Sequence, residues 1–230
     1  MEFGQYLEPT STIDSGNPLV TVYARKIAGD TKQPLDLAIK LYLAVRDGIR
    51  YDPYAPSYKP EHYRASFVIR RGRSFCVPKA SLLCALGRVC GIPSRVGFAH
   101  VRNHLATKEL IELLRSDIFY YHGFVEFFLE GQWVKCTPAF NRELCEKHGV
   151  PPLEFDGRKD SIFQEYNAEN RRFMEYIEFL GAFADIPIAD IIKTWEKGYG
   201  RDIAERMARV SAEKEKSGAR QFEDEDVWKG

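Results

Sequence analysis

The chain has 230 residues, 44% hydrophobic and 13% aromatic, enough to bury a real core in one domain or in one domain with an appendage. Lys plus Arg and Asp plus Glu each number 33, so no global field favours nucleic acid, a membrane surface or acidic ligands. Five irregularly spaced cysteines argue against a disulfide framework. No apolar stretch approaches the ~20 residues of a membrane span, and Met1-Glu2-Phe3-Gly4-Gln5 lacks the basic start of a secretion signal. A reduced, cytoplasmic compartment is expected, with cysteine serving chemistry or packing.

Residues 1 to 20, rich in Thr, Ser, Pro and Gly, read as an extended lead-in. Thr31 to Ile49 reads as the first helix, with Pro34 near its start and Leu37, Leu41, Ala44 and Val45 as its apolar stripe. Arg50-Tyr51-Asp52-Pro53-Tyr54-Ala55-Pro56 breaks it, because prolines and the residues before them leave helical geometry. A long loop follows, in which Tyr51, Tyr54, Tyr58 and Tyr63 either wall a cleft or pack the loop down. It ends in the basic run Arg70-Arg71-Gly72-Arg73, read first as a solvated loop.

Ser74-Phe75-Cys76-Val77-Pro78-Lys79 then opens a second helix. Proline is well suited to a first turn, Leu82, Leu83 and Leu86 recur at helical spacing, and Gly91-Ile92-Pro93 ends the helix. Cys76 at its mouth would feel the positive end of the helix dipole, which favours the nucleophilic thiolate. Most cysteines simply pack, and that is the expectation for Cys84, Cys90, Cys136 and Cys145.

Residues 94 to 101 read as a strand, and 105 to 115 as a short inserted helix. Phe119 to Leu129 and Gln132 to Cys136 read as a hairpin turning at Glu130-Gly131. From residue 163 the pattern reads as helical, with Phe173, Ile177 and Leu180 on one face, and Pro187 to Lys197 as another short helix. The tail after Gly200 is charged, and Glu213-Lys214-Glu215-Lys216 reads as a solvated face or a frayed helix. The plan is α+β: residues 1–150 as the core, 151–230 as a helical extension packed on it.

A reactive thiolate needs a base brought to it by the fold. His122, inside the aromatic strand Tyr120-Tyr121-His122-Gly123-Phe124-Val125-Glu126, is the best-placed histidine, since packing would hold its ring in one orientation. His100 and His104 have no third ligand nearby, so no metal is expected. There is no glycine-rich phosphate loop and no Gly-x-Ser-x-Gly elbow.

These residues resemble the transglutaminase-like superfamily, papain-related enzymes with a Cys-His-Asp triad. The likeness rests on Cys76 through Gly91-Ile92-Pro93-Ser94-Arg95, on His122-Gly123-Phe124-Val125-Glu126, on Trp133-Val134 and on the lead-in Val45-Arg46-Asp47-Gly48-Ile49-Arg50-Tyr51-Asp52. It covers residues 20 to 140, and residues 150 to 230 match only what is expected of a bacterial branch. It implies a papain-like core in which the cysteine helix packs on an antiparallel sheet, with extra C-terminal helices. The family's third residue is an aspartate in an Asp-Pro pair, where this chain has Thr137-Pro138. A threonine hydroxyl accepts a hydrogen bond from imidazole but offers no charge to an imidazolium. Thr137 ranks first by position, Asn141 second as in papain-like proteases, and Asp156 third.

The resemblance implies acyl transfer through a thioester at Cys76, with His122 as acid and base. The oxyanion would be held by the Cys76 N–H and a second donor, Tyr63 or Ser74. It implies no cofactor, and a peptide or protein amide as substrate rather than nucleic acid or membrane. The rivals are an inactive peptide-binding domain and an arylamine-type acyltransferase.

Overall fold

The computed structural model describes residues 3–104, 106–163, 173–216 and 218–226. In chain order the helices and strands are α1 (Pro18–Ala28), α2 (Pro34–Gly48), β1 (Arg50–Tyr51), α3 (Ala65–Arg71), β2 (Arg73–Ser74) and α4 (Cys76–Val89). There follow β3 (Ser94–Asn103), α5 (Lys108–Leu114), β4 (Ile118–Leu129), β5 (Gln132–Cys136), α6 (Arg142–Lys147), β6 (Met174–Phe183), α7 (Ile188–Tyr199) and α8 (Ile203–Lys214).

Every residue of α4 from Val77 to Arg88 is buried. A helix enclosed on all sides belongs at the centre of a fold. Helices α1, α2 and α3 pack on one side of it, and the antiparallel sheet, in the order β5-β4-β3-β6, packs on the other. Gly87 allows the close approach: a Cβ there would lie 2.3 Å from Ser94 Oγ and 2.5 Å from Phe127 Cε1. The hairpin β4–β5 turns at Glu130 and Gly131, both at positive φ, which suits a two-residue turn.

Four sequence expectations change. A helix not foreseen, α1, begins at the end of the lead-in, with Pro18 in its first turn and Asn17 Oδ1 accepting from the Leu19 amide at 3.0 Å. The loop before Cys76 contains α3. Its basic run is not free in solvent, because Arg71 and Arg73 face Asp52 at 3.7 and 3.5 Å, and Arg71 also pairs with Glu215 at 2.6 Å.

The segment holding Phe173, Ile177 and Leu180 is no helix where it is described: residues 174–183 form β6. The i, i+3, i+4 spacing was real, but the open edge of β3 satisfies the backbone better, and Tyr176, Ile177, Phe179 and Phe183 suit a pleated surface. The earlier part of that expected helix, residues 164–172, lies outside the described residues, as does Leu105 of the inserted helix. The charged tail forms α8, which docks through Arg206, donating to Leu113 O at 3.0 Å and Tyr199 O at 2.7 Å, while Glu213, Glu215 and Lys216 at its end are exposed, in line with the solvated-face reading.

No helix among the described residues is long and apolar enough to cross a membrane.

Candidate active site

Two short parallel strands, β1 and β2, deliver the chain into α4, and Cys76 is the first residue of that helix. The backbone N–H groups of Gly123, Val77 and Cys76 bear on its sulfur and favour the thiolate, as does the charge of Lys79. Burial outweighs all of them and pushes the thiol up to about 11. The expected dipole activation is therefore present but smaller than desolvation.

Gly123 is what brings β4 this close. A Cβ there would lie 3.0 Å from Val77 Cα and 3.4 Å from the Val77 amide nitrogen. Just before it, Tyr120 and Tyr121 together oppose His100, a bulge in which Tyr121 takes φ +59° and its N–H meets His100 Nδ1 at 3.3 Å. Bulges re-aim the side chains beside them, and the residue that follows this one is His122.

His122 is buried, with Phe163 at 5.2 Å and Tyr176 at 6.4 Å between ring centroids. Its Nε2 is enclosed without a hydrogen-bond partner, and burial alone lowers the imidazole to about 3. Cys76 and His122 line one cavity of about 50 Å³, and no hydrogen bond reaches His122 Nε2 from the described residues. Burial disfavours the charged form of each, and so works against the thiolate–imidazolium pair that the sequence suggested.

The three candidates for the third position separate clearly. Cys136 pairs with Val125, so the next residue, Thr137, comes level with Phe124, a diagonal neighbour of His122 on the same side of the sheet. Thr137 is buried beside the Tyr176 hydroxyl, and its own Oγ1 lacks a partner, like His122 Nε2. Asn141 is engaged elsewhere: Oδ1 accepts from the Tyr51 amide at 3.0 Å, and Nδ2 donates to Glu143 at 2.9 Å. It joins β1 to α6 instead of orienting the imidazole. Asp156 is exposed, accepting from the amides of Arg158 and Lys159 in its own turn. Of the two oxyanion candidates, Ser74 is buried in β2, and Tyr63 is buried with an unpartnered hydroxyl.

Sequence reasoning missed Lys79. It is fully buried one turn beyond Cys76, and its Nζ donates to the carbonyls of Arg46, at 3.0 Å, and Ile49, capping the end of α2. Burial lowers it to about 7. A lysine in the first turn of an otherwise apolar helix was the available signal. The wall from α7 and α8 is Trp195, Tyr199 and Met207, residues that no local pattern names, because nothing local ties residues 195–207 to Cys76. Among the described residues there is no group of three metal-ligating side chains; His104 instead faces Glu175 at 3.4 Å.

The residues that carried the resemblance also hold the sheet together. Arg95 pairs with Glu126 at 2.6 Å and lies 4.0 Å over the Trp133 ring. No curated protein matches the chain. The crystal structure of a "Putative Cysteine Protease" from Cytophaga hutchinsonii is similar, at 17% identity and a TM-score of 0.48 over 81% of this chain and 48% of that one. The chain thus spans about half the length of that protein. Residues 21–138, just over half of the chain, match the family model described as the transglutaminase-like superfamily. With the cysteine helix packed on an antiparallel sheet that carries the histidine, the chain belongs to the transglutaminase-like superfamily.

Proposed function

We propose that this chain performs thiol-dependent acyl transfer on amide bonds, as a cysteine protease, amidase or transglutaminase-like enzyme, with Cys76 as nucleophile and His122 as acid and base. The observation that carries this reading is the cavity the two side chains share, with the Gly123 N–H on the sulfur and His122 next to that glycine in the chain.

Because burial disfavours the charged form of both groups, the proton moves during the reaction. Cys76 passes it to His122 as Sγ attacks the amide carbonyl carbon, and the Cys76 N–H stabilises the developing oxyanion. The unpartnered Tyr63 hydroxyl is the better second donor. The C–N bond then breaks as the imidazolium protonates the leaving amine, leaving a thioester on Cys76. Water or an amine next gives its proton to His122 while attacking the thioester, which releases acid or new amide and the free thiol. Thr137 is the positioning residue for His122, and a peptide or protein amide in the cytoplasm is the proposed substrate.

A second reading, an inactive peptide-binding domain, is favoured by the burial that works against the ion pair and by the hydroxyl at position 137. Intact-mass analysis after incubation with activated esters and peptide amides separates the two. An acyl adduct on Cys76 that is lost in Cys76→Ala, and forms about 10²- to 10⁴-fold more slowly in His122→Ala, supports catalysis. Adducts from small acyl thioesters alone would point to the arylamine-type alternative. No adduct from any donor would leave the binding domain as the better account.

A further inference from the structure

The cavity beside Cys76 has a wall that the family model does not cover. Residues 21–138 supply Cys76, His122 and, from α5, Leu110 and Leu114. Helices α7 and α8 close the other side with Trp195, Tyr199 and Met207. Apart from Cys76 and His122, no lining side chain is charged or readily ionised near neutral pH.

The polar atoms of the two aromatic wall residues are already engaged. Trp195 Nε1 donates to the Tyr120 carbonyl at 2.9 Å, and the Tyr120 amide donates to the Tyr199 hydroxyl at 2.9 Å. Both bonds fall on the backbone at the bulge just before His122, so they aim the rings and engage the indole N–H and the acceptor side of the Tyr199 hydroxyl. Away from Cys76, His122 and the tyrosine hydroxyls, the lining is ring and aliphatic surface from Phe75, Val77, Leu110, Leu114, Trp195 and Met207. A charged group or a primary carboxamide lying against that part would lose water for few partners and no opposite charge, whereas an apolar group would lose nothing. The volume of about 50 Å³ admits only a few water-sized groups.

We infer that this pocket selects a compact apolar group on the acyl donor, and that Met207, Leu110 and Leu114 set its size. The inference rests on the reading of Cys76 as the acyl carrier. It excludes glutamine side chains and acidic or basic groups as the preferred fit at this subsite. Met207 is the sharpest lever, since it reaches the cavity from α8 and its sulfur meets the Ser57 hydroxyl at 3.8 Å, which fixes its direction.

The test is the rate of Cys76 alkylation, normalised to the rate of free glutathione with the same reagent. The reagents are iodoacetamide, iodoacetate and N-alkyl iodoacetamides of increasing chain length. The expected result is a normalised rate for short N-alkyl reagents at least 10-fold above that for iodoacetate, falling again beyond a few carbons. Met207→Ala should move the length limit upward, and Met207→Lys should raise iodoacetate relative to the neutral reagents. Should Met207→Lys fail to fold, Leu110→Ala serves as the second enlarging variant. Equal normalised rates for the anion and the neutral reagents, or a length limit unmoved by Met207→Ala and Leu110→Ala, would overturn the inference. Failure of the catalytic reading looks different: the alkylation preference persists while no acyl donor turns over. Turnover with charged or carboxamide donors at rates equal to apolar ones would sink the inference and leave the catalytic reading standing.

Discussion

Glu225 closes the far end of the chain onto the core, and its removal is a quantitative test of that attachment. Its side chain is fully enclosed and accepts from Tyr54 Oη at 2.7 Å, from Thr107 Oγ1 at 2.7 Å and from the Lys214 ammonium. Nearby, Phe222 packs edge-on against Tyr51, which also lines the Cys76 cavity. Glu225→Ala would leave Tyr54 with a buried, unpartnered hydroxyl, a loss of about 1–3 kcal/mol. Thr107 keeps its bond to the Leu110 amide, at 3.2 Å. Lys214, 19% exposed, keeps the Arg220 carbonyl at 2.9 Å, so its loss is screened and partly made good. A buried pair broken from one side costs about 3–5 kcal/mol, and the remaining partners put this case near the low end, at about 3 kcal/mol.

Urea unfolding followed by tryptophan fluorescence should show the midpoint falling by about 1 M or more at unchanged slope. Native-state hydrogen exchange should show α8 losing protection before β4. Lys214→Met should cost less in the Glu225→Ala background than in the parent, with a coupling of at least about 1 kcal/mol. A loss within about 0.5 kcal/mol, the range of ordinary surface changes, or strictly additive behaviour would refute the assignment of Glu225 as an anchor.

Other expectations concern the site. His122 is held near 3 in the fold against 6.5 free, so the unfolded chain binds the extra proton between those values, and stability falls as pH drops through that window. From pH 6.5 to 5 the loss should be about 2 kcal/mol at ~1.36 kcal/mol per unit; a His122→Gln variant with the same acid slope would contradict it. Cys76, raised to about 11, should alkylate more slowly than a free thiol at pH 8 and gain about tenfold per pH unit up to pH 10; a fast plateau near pH 6 would contradict the dominance of burial at Cys76. Thr137→Asp should add a low-pH limb to that profile by raising His122 about 1–3 units; a folded variant with an unchanged profile would argue against Thr137 as its neighbour. Gly123→Ala should cost about 1–3 kcal/mol, because its Cβ would meet Val77 backbone that cannot yield, and should slow Cys76 alkylation further; unchanged melting and labelling would dismiss the close β4–α4 approach.

Much of this was legible because the signals are local. The proline and terminal glycine of the Cys76 helix, the Glu130-Gly131 turn and the motif order from Cys76 to Trp133 depend on backbone preferences within a few residues. They singled out Cys76 and His122 as candidates, and they carried the family resemblance and the α+β plan. The strand β6 was not legible, since Phe173, Ile177 and Leu180 have helical spacing and only the open edge of β3 decides otherwise. Residue order ranked Thr137 ahead of Asn141 and Asp156 by position alone; the β4–β5 register, and the bonds that engage Asn141 with Tyr51 and Asp156 with its own turn, are tertiary and bear on that ranking from outside the sequence.

The sequence by itself determined that Cys76 opens a helix and named it and His122 as the candidates for chemistry. Tertiary structure alone decided what surrounds them. Desolvation is a property of everything packed around a group, here including Phe163 and Tyr176 against His122 and the α7–α8 wall around the cavity it shares with Cys76, and it outweighs the helix-end N–H groups that local sequence could foresee.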